Sequence, residues 1–269
     1  MSFEALTYEI RDDVAVVTLN RPEKRNALDI TMRTELSEVV LEMRNDTSLR
    51  AAVITGAGGA FCAGGDLQRL ATQKSTPAES RKRIQDIYVW LHEFVSLELP
   101  VIAAVDGPAY GAGINLALTA DFILASTRAR FCEVFGRIGL VPDVGGFFLL
   151  PRIVGLQRAK ELIFSARSFD AQEAKELGIV YEIHEPDDLM DAAMALAGRF
   201  RNSSREAIGI SKNILNQSFN LDFRALGELE AFGQAVAHDS AYHTDAVARF
   251  LDKQPLLYNW DDAARGGDD

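Results

Sequence analysis

Cysteine is nearly absent. The 269-residue chain has two, Cys62 and Cys132, with no metal-like spacing and too few for a disulfide framework, so both read as reduced thiols of a cytoplasmic protein. Positive charge is also scarce: 28 Lys and Arg stand against 39 Asp and Glu, a net charge of -11. No basic run exists that would displace counterions from phosphates, which argues against nucleic-acid binding. No stretch is apolar for long enough to span a bilayer. The opening MSFEALTYEIRDD lacks the basic and apolar regions of a signal peptide, and the end DDAARGGDD reads as a solvated acidic tail. Neither a GxGxxG fingerprint after a strand nor a GKS or GKT phosphate loop occurs. What remains is an ordinary globular composition, 48% hydrophobic and 25% charged, in a chain long enough for a large core without staples.

Alternation predicts two strands, Leu6 to Arg11 and Val14 to Leu19, joined by a tight turn at Asp12 and Asp13. Helical spacing of Met32, Leu36, Val39, Val40 and Met43 predicts a helix from about Asp29 to Arg44. Buried strands are expected at Ala51 to Thr55, Val101 to Val105 and Asp121 to Ala125. The run TPAE (Thr76 to Glu79) reads as a capping box with proline at the first helical position, starting a helix that reaches Val95. From Gly145 onward helices dominate, and DAQE (Asp170 to Glu173) reads as another capping box. Strand–helix alternation followed by helices predicts an α/β core and a helical C-terminal part, with a boundary near Arg201 to Arg205.

Two glycine-rich loops stand out, GAGGAFCAGGDL (residues 56–67) and GPAYGAGINLAL (107–118). Each follows a buried strand, and small residues let backbone N–H groups approach a ligand closely. Such donors suit an oxygen that gains negative charge during reaction; the plainer reading is two structural turns. With RIGLVPDVGGFFLLPRIVG (137–155) and TLNRPEKRNALD (18–29), in this order and spacing, the loops make the chain resemble the crotonase (enoyl-CoA hydratase/isomerase) superfamily from about Thr18 to Phe250. The resemblance implies an acyl-CoA thioester whose enolate is held by the N–H groups of Ala63 and Ala112. It implies Lys24 and Arg25 near the CoA phosphates and the backbone of Ala27, Asp66 and Leu67 around adenine. Coenzyme A then arrives as part of the substrate, and no other cofactor or metal is expected.

At the two positions where hydratases of this superfamily carry glutamates the chain has Asn115 and Phe135, neither of which exchanges a proton. Asn115 reads as pocket lining or as a satisfied buried amide, and Phe135 as a wall of the acyl pocket. One acid remains, Asp143, eight residues beyond Phe135, where several isomerases of the superfamily, phenylacetate-pathway ring isomerases among those most alike, and its dehalogenases have a catalytic aspartate. Asp143 could instead cap the next helix. His92 could activate water, as in the dehalogenases, or only pack. Cys62 lacks a local base and reads as a packing residue; Glu133 and Asp106 cannot be placed.

The reading is therefore an acyl-CoA isomerase that shifts a double bond or rearranges a ring with one aspartate. A hydrolase using Asp143 and His92, a hydratase, and a non-catalytic CoA-binding protein stay open. The resemblance implies an α/β spiral of ββα units in two roughly perpendicular sheets (residues 1–200) and a helical part (201–269) that assembles a homotrimer or a hexamer.

Overall fold

The computed structural model describes residues 3–72 and 75–260; the acidic tail lies outside them. The hairpin β1 (Leu6–Arg11) and β2 (Val14–Leu19) opens the chain as the alternation predicts. A 3-10 turn at Pro22–Lys24 leads to α1 (Ile30–Asn45), whose N-cap Asp29 accepts the Met32 N–H and whose predicted apolar stripe is buried. β3 (Ala51–Gly56), α2 (Leu67–Thr72) and α3 (Pro77–Val95) follow. The Thr76–Glu79 capping box is complete, with side chains and backbone bonded in both directions.

Next come β4 (Val101–Val105), β5 (Pro108–Tyr110), α4 (Ala112–Leu118), β6 (Phe122–Ser126) and β7 (Arg130–Cys132). A second 3-10 turn covers Val134–Ile138, before α5 (Gly146–Val154), α6 (Leu156–Ser165), β8 (Ser168–Asp170), α7 (Ala171–Glu176), β9 (Glu182–His184) and α8 (Leu189–Gly198). The chain closes on α9 (Arg205–Gln217), α10 (Phe223–His238) and α11 (Ala241–Leu251). The region after Gly145 is mainly helical, but β8 and β9 interrupt it. Its expected capping box is only half formed: Asp170 accepts the Glu173 N–H at 2.9 Å, while the Glu173 carboxylate turns to Arg167. An arginine offers that carboxylate charge-assisted bonds that a backbone N–H does not.

Six strands form one sheet in the order β1-β2-β3-β4-β6-β9, parallel except for β1; β5, β7 and β8 form a second. Successive residues of the central strands serve opposite faces. Val14, Val16, Ala51, Val53, Ile102 and Ala104 pack against Leu189, Ala193 and Leu196 of α8. Ala15, Val17, Ala52, Ile54, Val101 and Ala103 join the main core with α1, α3 and α4. Burial on both faces is why these strands read as unbroken apolar runs.

Parallel pairing of β3 and β4 sends both following loops out at the same sheet edge, where ligands of parallel sheets usually sit. Helix α9 is tied to that core by Lys212, which reaches Asp121 at 2.7 Å and the Leu99 carbonyl at 3.1 Å. Helices α10 and α11 bury no residue in the chain. No helix among the described residues is long and apolar enough to cross a membrane.

Candidate active site

The two glycine loops meet. Cys62 N–H donates to Pro108 and Tyr110 N–H donates back to the Cys62 carbonyl, at 3.1 and 2.9 Å. Gly113 lies so close that a Cβ there would stand 2.0 Å from the Cys62 oxygen. A Cβ on Gly64, whose φ is +94°, would stand 2.7 Å from the Tyr110 oxygen and 3.5 Å from the Ala112 nitrogen. Only glycine permits this approach.

Ala112 is the first residue of α4 and its N–H has no partner among the described residues, in keeping with the expected donor. Ala63 requires a correction. Its N–H is already given to the Arg25 carbonyl at 2.9 Å, and an engaged donor has nothing left for a ligand. Two residues on, Gly65 N–H has no partner among the described residues and takes its place as the free donor of the first loop. Cys62 is fully buried and its thiol is pushed up to about 12, so it is inert.

The segments expected to hold CoA are brought together. Leu28 N–H donates to Gly64 at 2.7 Å, and Asn26, fully buried, donates to the Ala57 and Ala60 carbonyls. Arg21 joins both segments, lying 3.2 Å from Asp29 and 3.7 Å from Asp66. Lys24 reaches Gln68 at 2.6 Å. Arg25 adopts a left-handed φ of 48° behind the 3-10 turn, Ala27 is buried, and Leu67 is exposed at the start of α2.

Asp143 sits half-buried before α5. Its side chain does not cap that helix: the N-cap is Gly145, with no side-chain bond. Asp143 Oδ1 is buried and unpartnered. Burial pushes the carboxyl up to about 6, against the pull of Arg83 and Arg33. The carbonyl of Asp143 accepts from Asn115 Nδ2 at 2.9 Å, and Gly145 N–H donates to the Tyr88 hydroxyl at 3.1 Å. Asn115 is fully buried and packs on Gly146, where a Cβ would stand 2.5 Å from Nδ2. Phe135 is buried against Gly111, beside the second donor. His92 is exposed on α3 with its ring 5.6 Å from that of Tyr88.

A cavity of about 590 Å³, within the usual range for small-molecule sites, lies between α1 and α3 and is lined by Ile30, Arg33, Arg83, Ile87 and Trp90. Its two arginines are those whose charges act on Asp143. The remaining open residues are now placed. Asp106 is structural, bonded to Arg128 and Ser126 at 2.7 Å each, which holds its carboxyl below the usual range. Glu133 has no exposed surface, and neither carboxyl oxygen has a partner. Burial pushes it up to about 8 against the pull of the neighbouring Asn115 amide, and the charge of Asp143 adds to the rise. The sequence gives no sign of this, because which way a residue faces at the end of a three-residue strand is set by its neighbours.

A family model described as enoyl-CoA hydratase/isomerase matches residues 9–262. A probable enoyl-CoA hydratase of Rhodobacter capsulatus is 37% identical, over 95% of this chain and 98% of that protein. The 1,2-epoxyphenylacetyl-CoA isomerase of Escherichia coli is 33% identical, over 93% of this chain and 97% of its own. The crystal structure of an enoyl-CoA hydratase/isomerase from Cupriavidus metallidurans superposes with a TM-score of 0.92 at 42% identity, covering 96% of this chain and 97% of the other. Sequence, fold and loop geometry agree, and the chain belongs to the enoyl-CoA hydratase/isomerase, or crotonase, family.

Proposed function

We propose that the protein is an acyl-CoA isomerase that shifts a double bond or rearranges a ring, with Asp143 as its acid/base group. The observation that carries this reading is the Asp143 carboxyl: half-buried, with an oxygen that nothing in the fold meets, and titrating near neutrality. A base with that pKa is largely ionised at pH 7 and gives its proton back readily. The acyl group would occupy the cavity beside Arg33 and Arg83, and the thioester oxygen would take the free N–H groups of Gly65 and Ala112 as it becomes an enolate oxygen. Asp143 then removes a proton from one carbon and returns it to another. Hydration would call for a second carboxyl group in reach of water, and the nearest, Glu133, is enclosed. A relative named as an isomerase supports the choice, although hydratase names are also found among the relatives.

Under the same proposal residues 1–200 carry the CoA site, and residues 201–269 provide contacts between copies in a trimer or a dimer of trimers. Phe223, Phe232 and Phe250, all strongly exposed on α10 and α11, support that assignment. Two free, buried cysteines fit a cytoplasmic setting. The test supplies 3-hexenoyl-CoA and 2-hexenoyl-CoA separately and follows the products. Formation of the conjugated 2-enoyl isomer is expected. Rapid hydration of 2-hexenoyl-CoA with no isomerisation would overturn the proposal, and a monomer by light scattering would overturn the assembly.

A further inference from the structure

The cavity between α1 and α3 is walled by two kinds of side chain. Ile30, Ile87 and Trp90 give it an apolar part, and Arg33, Lys82 and Arg83 bring three positive charges. Two acids, Glu79 and Asp86, share the wall, and both are engaged. Glu79 closes the capping box on Thr76 with bonds of 2.7 and 2.8 Å, and Asp86 pairs with Lys82 at 2.7 Å. Arg33 is anchored through Nε, which donates to the Asp29 carbonyl at 2.9 Å.

Arg83 differs from the other two cations. It is half-buried, yet its guanidinium has no hydrogen bond and no ion pair among the described residues. Its charge acts on Asp143 without a bond to it. A guanidinium that has given up part of its hydration and gained no acceptor lowers stability. Its planar fork of N–H donors matches a carboxylate or a phosphate bidentately. Such a group on a cavity wall fits an anion that arrives with the ligand.

Two anions of an acyl-CoA match that fork, a phosphate of CoA and a carboxylate on the acyl group. Position favours the second. The charges of Arg83 and Arg33 act on Asp143, which places them at the reacting end of the site. The phosphates lie a whole pantetheine arm away from the thioester, and charges farther apart than about 10 Å are largely screened. Ile30, Ile87 and Trp90 then suit the carbon chain that leads to the carboxylate.

We propose that the acyl group is itself anionic: the substrate is the CoA thioester of a dicarboxylic acid, its far carboxylate held by Arg83 with the charge of Arg33 alongside. This deepens the isomerase reading and rests on it for the use of the cavity as the acyl site. Arg83 then determines specificity. It grips the end of the substrate that does not react, and remote binding of that kind orients the carbons that do.

The test sets 3-hexenoyl-CoA against 6-carboxy-3-hexenoyl-CoA, the same chain with a carboxylate on its last carbon. The methyl ester of the latter is the neutral control for size. Wild type should prefer the carboxylate by roughly 10- to 100-fold in kcat/KM over either neutral thioester, the span of a hydrogen bond to a charged group. In Arg83→Met that preference should vanish. Arg83→Lys, which keeps the charge but not the fork, should retain part of it. The preference is a ratio between substrates at one pH, so any effect of Arg83 on Asp143 cancels from it. Working at about pH 8, above the Asp143 pKa of about 6, keeps the base ionised throughout.

A wild type that handles charged and neutral thioesters alike would overturn the proposal. So would an undiminished preference in Arg83→Met, which would leave the arginine acting on Asp143 alone. A phosphate partner gives a third pattern: Arg83→Met would weaken free CoA, by calorimetry, as strongly as the charged thioester, and this too would overturn the proposal. If Arg83→Met does not fold, the wild-type preference and its partial loss in Arg83→Lys decide. If wild type isomerises neither thioester, the isomerase reading fails by itself. Binding of hexanoyl-CoA and 6-carboxyhexanoyl-CoA to wild type and Arg83→Met then still decides what Arg83 holds.

Discussion

Arg167 sits between Glu161 and Glu173 with four bonds of 2.5 to 3.0 Å, whereas Asp143 and Glu133 keep oxygens that nothing in the fold meets. The carboxylates respond in opposite directions. Arg167 holds Glu161 down to about 2, while burial raises Asp143 to about 6 and Glu133 to about 8. The first cluster is near the surface with its charges matched, and it ties the segment before β8 to α6 and α7. The second is incomplete at both acids, and the segment of Asp143 is held by Asn115 of α4, the helix that Ala112 begins. Unmet buried polar groups lower stability, and folds keep them where something else is to be met.

The strongest way to break that contrast is Asp143→Asn. Turnover of 3-hexenoyl-CoA should fall by on the order of 10²- to 10⁴-fold, with CoA affinity retained and the unfolding temperature unchanged or slightly raised. Kinetics and calorimetry on one preparation check this. A folded variant with near-normal turnover would make the unmet carboxyl merely structural. Next in size is Gly113→Ala, whose methyl would stand 2.0 Å from the Cys62 oxygen and force the two donor loops apart. Turnover should fall roughly 10- to 100-fold, and stability by about 1–3 kcal/mol. Urea unfolding alongside the assay separates the two losses.

A pH series sharpens the comparison without mutation. Asp143 must be ionised to act as a base, so kcat/KM should rise with pH through about 6 and drop about tenfold per unit below it. The fold should persist there, because the contribution of Glu161 is present above its ordinary 4.5 and fades only toward about 2. Unfolding that coincides with the activity limb would contradict this. Arg167→Met is the mirror experiment. It should cost about 1 kcal/mol, since these side chains are about one-third exposed and screened. That corresponds to a drop of about 2–4 °C in unfolding temperature, with turnover unaffected. The smallest effect expected is that of exhaustive chelation, which should leave the rate where it was; a loss restored by one metal would reopen the chemistry.

Elements long enough to repeat were legible before the fold. The α1 stripe spans three turns, β2, β3 and β4 are continuous apolar runs, and Thr76 with Glu79 carries its own cap. The three-residue strands β5, β7, β8 and β9 were not, because three residues show no period and their pairing partners are remote. At the site, the glycine pattern singled out the Ala112 loop, and the resemblance to the family pointed to Asp143, Asn115 and Phe135. It did not show that Ala63 gives its N–H to Arg25, because Gly64 turns the chain through a positive φ and the residue left free depends on the segment lying alongside.

The sequence by itself determined the longer strands and helices, the glycines that let two loops touch, and the acidic Asp143 in a segment where Asn115 and Phe135 carry no proton. These follow from local periodicity, backbone freedom and residue chemistry. Only the tertiary structure decided which polar groups stay unmet: Gly65 rather than Ala63, Asp143 as a free carboxyl rather than a cap, Glu133 enclosed beside Asn115. Whether a donor or a carboxyl is satisfied depends on atoms brought from distant parts of the chain, and burial sets what leaving it unsatisfied costs.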